Sequence, residues 1–354
     1  MSAAIETGRH HRSYTSEMRL WHTRPQMIRM ALVAVIAILV PFVFDNYWLS
    51  IANTALIAAV GAIGLNILVG YTGQISLGQG GFLAAGAFTS VILTDRLGMP
   101  APISILCAVV LTSVIGVIIG LPALRLKGLY LAIATLASQM LIIFIVRRWN
   151  WLTEGQGFVD VNRLEVFGFR IERSSFEQQW YVILLIITIL VAITATNLFR
   201  TGVGRSFMAV RDQDIAASAM GVNLTRTKLT AFAVSNAYVG LAGALLAHYT
   251  EIISWEKFTI DVSILYLAMI IVGGMGSIAG SIYGAIFMSF LPVMVRMVAD
   301  ALGGVLPMLQ RQLPAFEHAI FGLVIIVFLI AEPRGLNRIW QRIKDFFGFW
   351  PFRY

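Results

Sequence analysis

Ten apolar runs, with charged residues only within three positions of an end, divide this chain between residues 28 and 331. They fall at roughly 28–44, 48–69, 74–94, 101–123, 128–147, 180–199, 229–249, 262–279, 281–298 and 316–331. A helix of about 20 apolar residues matches the hydrocarbon thickness of a bilayer. Helices are the expected form, because an unpaired backbone amide in lipid costs several kcal/mol. The chain is 58% hydrophobic and 12% charged, against about 45–50% and about 25% in soluble domains. The expected fold is an all-α polytopic membrane protein with about ten transmembrane helices, some interrupted by glycine. Residues 262–298 lack a polar gap and read as a bent pair or a broken helix.

Charge placement sets an orientation. With both termini inside, residues 1–29, 125–127, 200–228 and 332–354 face the cytoplasm. They hold 17 of the 26 Lys and Arg but only 6 of the 18 Asp and Glu, which is the bias that orients membrane proteins. The net charge of +8 is thereby explained without a nucleic-acid partner. The chain divides into a cytoplasmic tail (1–27), a membrane domain (28–331) with an outer loop at 148–179 and a cytoplasmic loop at 200–228, and a second cytoplasmic tail (332–354). Residues 1–26 are polar and basic and no small-residue cleavage pattern follows the first apolar run, so that run reads as a retained span. The single cysteine, Cys107, lies in an apolar run and cannot form an internal disulfide.

Several chemistries are missing. No acid or cation lies in the central part of a run (Arg29, Arg147, Arg296 and Glu317 sit within three positions of a run end), which argues against a proton- or ion-coupled carrier. No G-x-x-x-x-G-K-[ST] phosphate loop occurs, so uphill transport would draw its energy from a separate subunit. No Ser/His/Asp or H-E-x-x-H constellation is present. His10, His11 and His22 lie in the polar tail, and His248 and His318 near outer span ends, where interfacial anchoring is the expectation.

Two glycine-rich stretches enter apolar runs. Gly276, Gly280 and Gly284 recur at every fourth residue, a small-xxx-small pattern that lets two helix backbones approach closely. In 70–81 the glycines are accompanied by Tyr71, Thr72, Gln74, Ser76 and Gln79. Freed polar groups are tolerated at membrane depth only inside protein or beside a cavity. Asn66, Tyr71, Gln74, Ser76, Gln79 and Gly80 are therefore candidates either for a substrate pathway or for helix–helix hydrogen bonding. Ser138 and Gln139 carry the same two readings.

The loop at 203–226 is a charged, amphipathic island between apolar runs. Phe207, Val210, Asp214, Ala217 and Gly221 share a helical stripe, flanked by Arg205, Arg211 and Asp212. Ala216 and Ala217, followed by Gly221 as a helix stop, predict a short helix able to dock closely in a partner's groove. A lipid-surface helix would prefer bulkier apolar residues and a lysine-rich face.

Five stretches resemble the permease subunits of bacterial ABC importers for branched-chain amino acids, the LivM type. They are GYTGQISLGQGGFLAAGAF (70–88), RLKGLYLAIATLA (125–137), GRSFMAVRDQDIAASAMGVNLTRTKLTAFAVSNAYVGLAGAL (204–245), VGGMGSIAGSIYGA (272–285) and EPRGL (332–336). The resemblance implies an importer permease fold in the bacterial inner membrane that binds no cofactor itself. It implies cytoplasmic ATPase subunits that use ATP, a second permease and a periplasmic substrate-binding protein. In such importers an E-A-A-x-x-x-G loop forms the coupling helix. Ala216, Ala217 and Gly221 match it, while Ile215 stands in place of the glutamate, with Asp214 one residue earlier. The implied substrate is a branched-chain amino acid, with urea, short amides and aromatic acids handled by similar systems. The competing expectation is an ion-coupled carrier of a small neutral solute.

Overall fold

A computed structural model describes residues 37–126, 128–149, 158–160, 165–166, 169–170, 175–302, 313–332 and 335–349. The tail at 1–27, most of the first apolar run and much of the loop at 148–179 lie outside them. Residues 37–43 are helical. The helices that follow are α1 (Asn46–Thr72), α2 (Gln79–Asp95), α3 (Ala101–Ala123), α4 (Leu129–Arg148), α5 (Phe176–Arg200), α6 (Gly202–Asp212), α7 (Asp214–Ala219), α8 (Leu224–Thr250), α9 (Ile260–Gly273), α10 (Ile278–Leu302), α11 (Leu313–Ala331) and α12 (Gly335–Phe349). Strands β1 (Phe158–Asp160) and β4 (Ile252–Ser254) pair antiparallel, as do β2 (Glu165–Val166) and β3 (Phe169–Arg170).

Among the described residues α1, α3, α4, α5, α8 and α10 are each long and apolar enough to cross a membrane, and the pair α11–α12, bent by 51°, is a candidate seventh. The chain is thus an all-α, multi-pass membrane protein, and among the described residues the count of about ten spans is not confirmed. Two of the expected runs have a different form. The runs 74–94 and 262–279 are not continuous helices: α2 has 17 residues and α9 has 14, and backbone breaks replace the rest.

Helix α1 is the hub. Its most apolar window is 78% buried, against 22% for α5, and α8, α10, α5 and α9 all pack on it. At the end of the bundle that carries β1 and β4, Glu177 Oε2 accepts from Asn53 Nδ2 at 2.8 Å and from Tyr249 Oη at 2.9 Å, tying α5 to α1 and α8. His248 is buried rather than interfacial, with Nε2 2.9 Å from Ser90 Oγ. At the opposite end α1 stops at Gly73, which takes φ +69° so that its amide and that of Gln74 reach back to Val69 and Leu68.

The chain then re-enters the bundle without helical hydrogen bonds over 73–78, and α2 begins in the interior. Gln79 Nε2 donates to Gly61 O at 3.1 Å, and Gly61 lies roughly 22 Å from one end of α1 and roughly 16 Å from the other at 1.5 Å per residue. Helix α9 also begins there: Gln139 Nε2 donates to Thr259 O at 3.0 Å, and Gln139 is midway along α4. From this common level α2 runs toward the strand-bearing end and α9 toward the other. Asp261, placed outside the run 262–279 by sequence, is the second residue of α9 and sits at that depth.

Close backbone approach holds α2 against α8. A Cβ on Gly86 would lie 2.6 Å from Gly240 Cα, whereas nothing lies within 4 Å of one on Gly322. Gly86→Val is expected to destabilise the protein by at least about 2 kcal/mol through overpacking. Gly322→Ala is expected to leave the melting temperature of the detergent-purified protein unchanged or slightly higher. Equal melting temperatures for the two variants would contradict this packing.

Candidate functional site

The charged island folds as two helices. Thr201 caps α6, its hydroxyl accepting from Gly204 N. Phe207 and Val210 are buried in the bundle, where α6 packs on α1, α5 and α8. Gln213 is extended (φ −160°, ψ 106°) and breaks the helix, so 207–221 is not one continuous stripe. Helix α7 is short, and Gly221 follows at φ +86°.

The two alanines of the expected docking motif point apart. Ala217 is buried at 5% exposure, its small side chain letting α7 sit on the bundle, while Ala216 and Ala219 are exposed. The outward face is led by Ile215 at 80% and Met220 at 86% exposure. Ala217 is thus an inward anchor, and the surface open to a partner is formed by its neighbours. Lys228 Nζ pairs with Asp214 Oδ2 at 2.8 Å and fixes α7 to α8. Arg205 Nη1 donates to Arg200 O at 2.9 Å, closing the end of α5.

Arg211 links this segment to the membrane helices. Its Nη2 pairs with Asp212 Oδ1 at 2.9 Å, and its Nη1 donates to Gly70 O at 3.1 Å, near the end of α1. Beside it lies the break between α9 and α10. Gly276 is in that break at φ +75°, outside α10. It is therefore a turn residue and not part of the helix-packing stripe expected from sequence. Gly280 and Gly284 are on α10 and face Gly273 of α9, where a Cβ on Gly280 would meet Gly273 O at 2.7 Å.

Asn66 ties α1 to the same break. Its Nδ2 donates to Ser277 O at 2.8 Å and Ser281 Oγ at 2.7 Å, and its Oδ1 accepts from Gly276 N at 2.9 Å. Tyr71 stacks on Phe199 with ring centroids 3.5 Å apart. Gln74 and Ser76 are buried in the re-entrant stretch, bonded to Thr72 Oγ1 and Gly78 N.

The third cluster lies at mid-depth. Ser263 Oγ accepts from Gly80 N at 2.8 Å and donates to Gln139 Oε1 at 2.7 Å, and the amide of Gln139 reaches the carbonyls of Phe258 and Thr259. Gln79, Gln139 and Ser263 are each at most 2% exposed. Four separate segments are bonded at one level, and the polar groups freed where α2 and α9 begin are matched against one another. Of the pathway candidates, Gln79 and Gly80 belong to this knot, and Asn66 belongs to the brace near Arg211. Ser263, the Asn66–Ser281 bond and the Arg211–Gly70 bond have no local sequence signal, because the side chains and backbone groups they join are more than 120 residues apart. Among the described residues no group of His, Cys, Asp and Glu could hold a metal ion.

Known proteins converge on one family. The model described as branched-chain amino acid transport system / permease component matches residues 47–329. The high-affinity branched-chain amino acid transport system permease protein LivM of Salmonella typhimurium is 30% identical over 88% of this chain and 75% of its own length. A probable LivM of Methanocaldococcus jannaschii is 26% identical over 80% and 83%, and a fructose import permease protein of Rhizobium meliloti is 26% identical over 77% and 74%. No solved structure matches the chain significantly. The matched region runs from the start of α1 almost to the end of α11, and the chain belongs to the permease family of the branched-chain amino acid transport systems.

Proposed function

We propose that this chain is an inner-membrane permease subunit of an ATP-binding cassette importer, carrying branched-chain amino acids or related small neutral solutes. Both termini and α6–α7 face the cytoplasm. ATP is bound and hydrolysed by separate cytoplasmic subunits, and this chain holds no cofactor. A second permease completes the pathway, and a periplasmic binding protein delivers the solute. The relatives named for branched-chain amino acids support the substrate class: the LivM of Salmonella typhimurium is 30% identical over 88% of the chain, against 26% over 77% for the fructose import permease.

The observation that carries the reading is the outward face of α7. Ile215, Ala216, Ala219 and Met220 expose an apolar surface at a water-facing end of the bundle. The opposite side is keyed inward by Ala217 and by the Lys228–Asp214 pair. Such a surface is covered in the working protein by a partner groove. Pressure on α7 reaches α6 directly. From α6 it reaches the end of α1 through Arg211 and Gly70, and the α9–α10 break through Asn66 and Gly276. Helix α9 leads from that break to the mid-depth knot. Closure of the ATPases thereby biases the bundle between outward- and inward-open arrangements, which is alternating access driven from outside this chain.

The double variant Ile215→Glu/Met220→Glu is expected to reach the membrane at normal levels while ATP-driven uptake by the assembled importer falls at least about 30-fold, the scale for losing two interface anchors. Unchanged uptake would overturn the docking role. Ala217→Arg is expected to lower the yield of folded protein instead, because it forces a charge into the bundle, whereas Ala216→Arg is expected to spare the fold and impair coupling. Arg211→Ala is expected to leave subunit assembly intact and reduce solute moved per ATP hydrolysed. Uptake and phosphate release measured on the same proteoliposomes check that ratio.

A further inference from the structure

Asp261 is the second residue of α9 and is exposed. Its depth is fixed from both sides. Two residues earlier, Thr259 O accepts from Gln139 Nε2 at 3.0 Å. Two residues later, Ser263 Oγ bonds Gln139 Oε1 at 2.7 Å and Gly80 N at 2.8 Å. Gln139 lies about 14 Å from either end of the 20-residue α4. The carboxylate therefore stands near the middle of the hydrocarbon slab. Ser263 on the same helix turn is fully buried, while Thr259 and Asp261 are turned out of the chain's own surface. Among the described residues the Asp261 carboxylate has no hydrogen-bond or ion-pair partner.

An acid in the first turn of a helix is favoured by the helix dipole. That explains why α9 tolerates an aspartate at its start. It does not explain an outward-turned charge at a depth where the surroundings would be lipid chains. Ionisable residues at such depth face a bundle interior or a water-filled cavity and mark solute paths. Helices that begin inside the membrane are a further pointer to such a path. The neighbouring group completes a complementary pair: Thr259 precedes α9, is exposed, and its side chain makes no capping bond. One hydroxyl donor and one carboxylate acceptor, two residues apart, present opposite hydrogen-bonding character to a small zwitterion.

We propose that Asp261 faces an aqueous route through the assembled importer and holds the ammonium group of the amino acid in transit, with the Thr259 hydroxyl available to its carboxylate. The proposal rests on the reading of this chain as an amino-acid importer permease, and adds to it a charge-specific contact that selects amines over neutral solutes of the same size.

Two measurements on the complete importer test it. In a Cys107→Ser background, Asp261→Cys is expected to react with a membrane-impermeant cationic methanethiosulfonate at least about 10-fold faster than Leu141→Cys, which is exposed on α4 near the same depth. Leucine is expected to slow the Asp261→Cys reaction. Equal rates at the two positions overturn the aqueous route. Asp261→Asn is then expected to raise the KM for leucine uptake at least about 30-fold, the lower range for removing one member of a desolvated charge pair, with Asp261→Glu recovering most of the loss and the subunits still co-purifying in the same ratio. An unchanged KM overturns the contact with the solute. Dissociation of the subunits in Asp261→Asn also overturns it, by assigning the carboxylate to a neighbouring subunit. Failure of the underlying functional reading is distinct from all of these, because the unaltered importer would then not take up leucine with ATP, while the comparison of labelling rates at the two positions is read without any solute.

Discussion

The hydrogen bonds that join Gly80, Gln139 and Ser263 at the middle of the bundle are the constraint on which this architecture depends. A bilayer offers no water to a free amide, so a helix cannot simply start inside it. Here two helices do. The start of α2 is met by a serine of α9, and the chain leading into α9 is met by a glutamine of α4. Without these side chains the breaks at 73–78 and ahead of Ile260 would leave polar backbone in hydrocarbon, and continuous spans would be the favoured alternative.

Interrupted helices have a mechanical consequence. A continuous helix moves as a rod, whereas a short one can shift against its neighbours at its break. Helix α9 is bounded by such breaks: the knot at its start, and the Gly274–Gly276 turn at its end, where glycine alone accommodates φ of +120° and +75° readily. The turn is held by Asn66 of α1, and α1 in turn by Arg211 of α6. Small residues keep the packing tight, with Gly280 and Gly284 against Gly273, and Gly86 against Gly240. Helices α6 and α7 thus connect through direct contacts to the element that carries the mid-depth polar groups.

Much of this was legible in sequence. The runs that became α1, α3, α4, α5 and α8 agree with the helices to within a few residues at most ends, because an apolar stretch of sufficient length has one stable form in lipid. The glycine clusters and their polar companions stand out in the sequence, and the motifs at 70–88, 204–245 and 272–285 resemble the family to which the chain belongs. The misreadings share a cause. Whether Gly276 lies in a helix, or whether Ala217 faces in or out, depends on a partner segment far along the chain, and hydropathy carries no such information. Asp261 is the clearest case. Judged by its neighbours it flanks a span, and only the contacts of Thr259 and Ser263 with Gln139 place it at depth.

On the proposed reading the chain is a gate that draws its energy from separate subunits. The most direct test of that reading is solute uptake into vesicles that contain this chain with its partner permease, compared with and without the ATPase subunits, under imposed sodium and proton gradients. Accumulation that appears only with the ATPases and hydrolysable ATP is the expected result. Accumulation driven by an ion gradient without them would contradict the account, and would make the carboxylate of Asp261 a coupling-ion site instead.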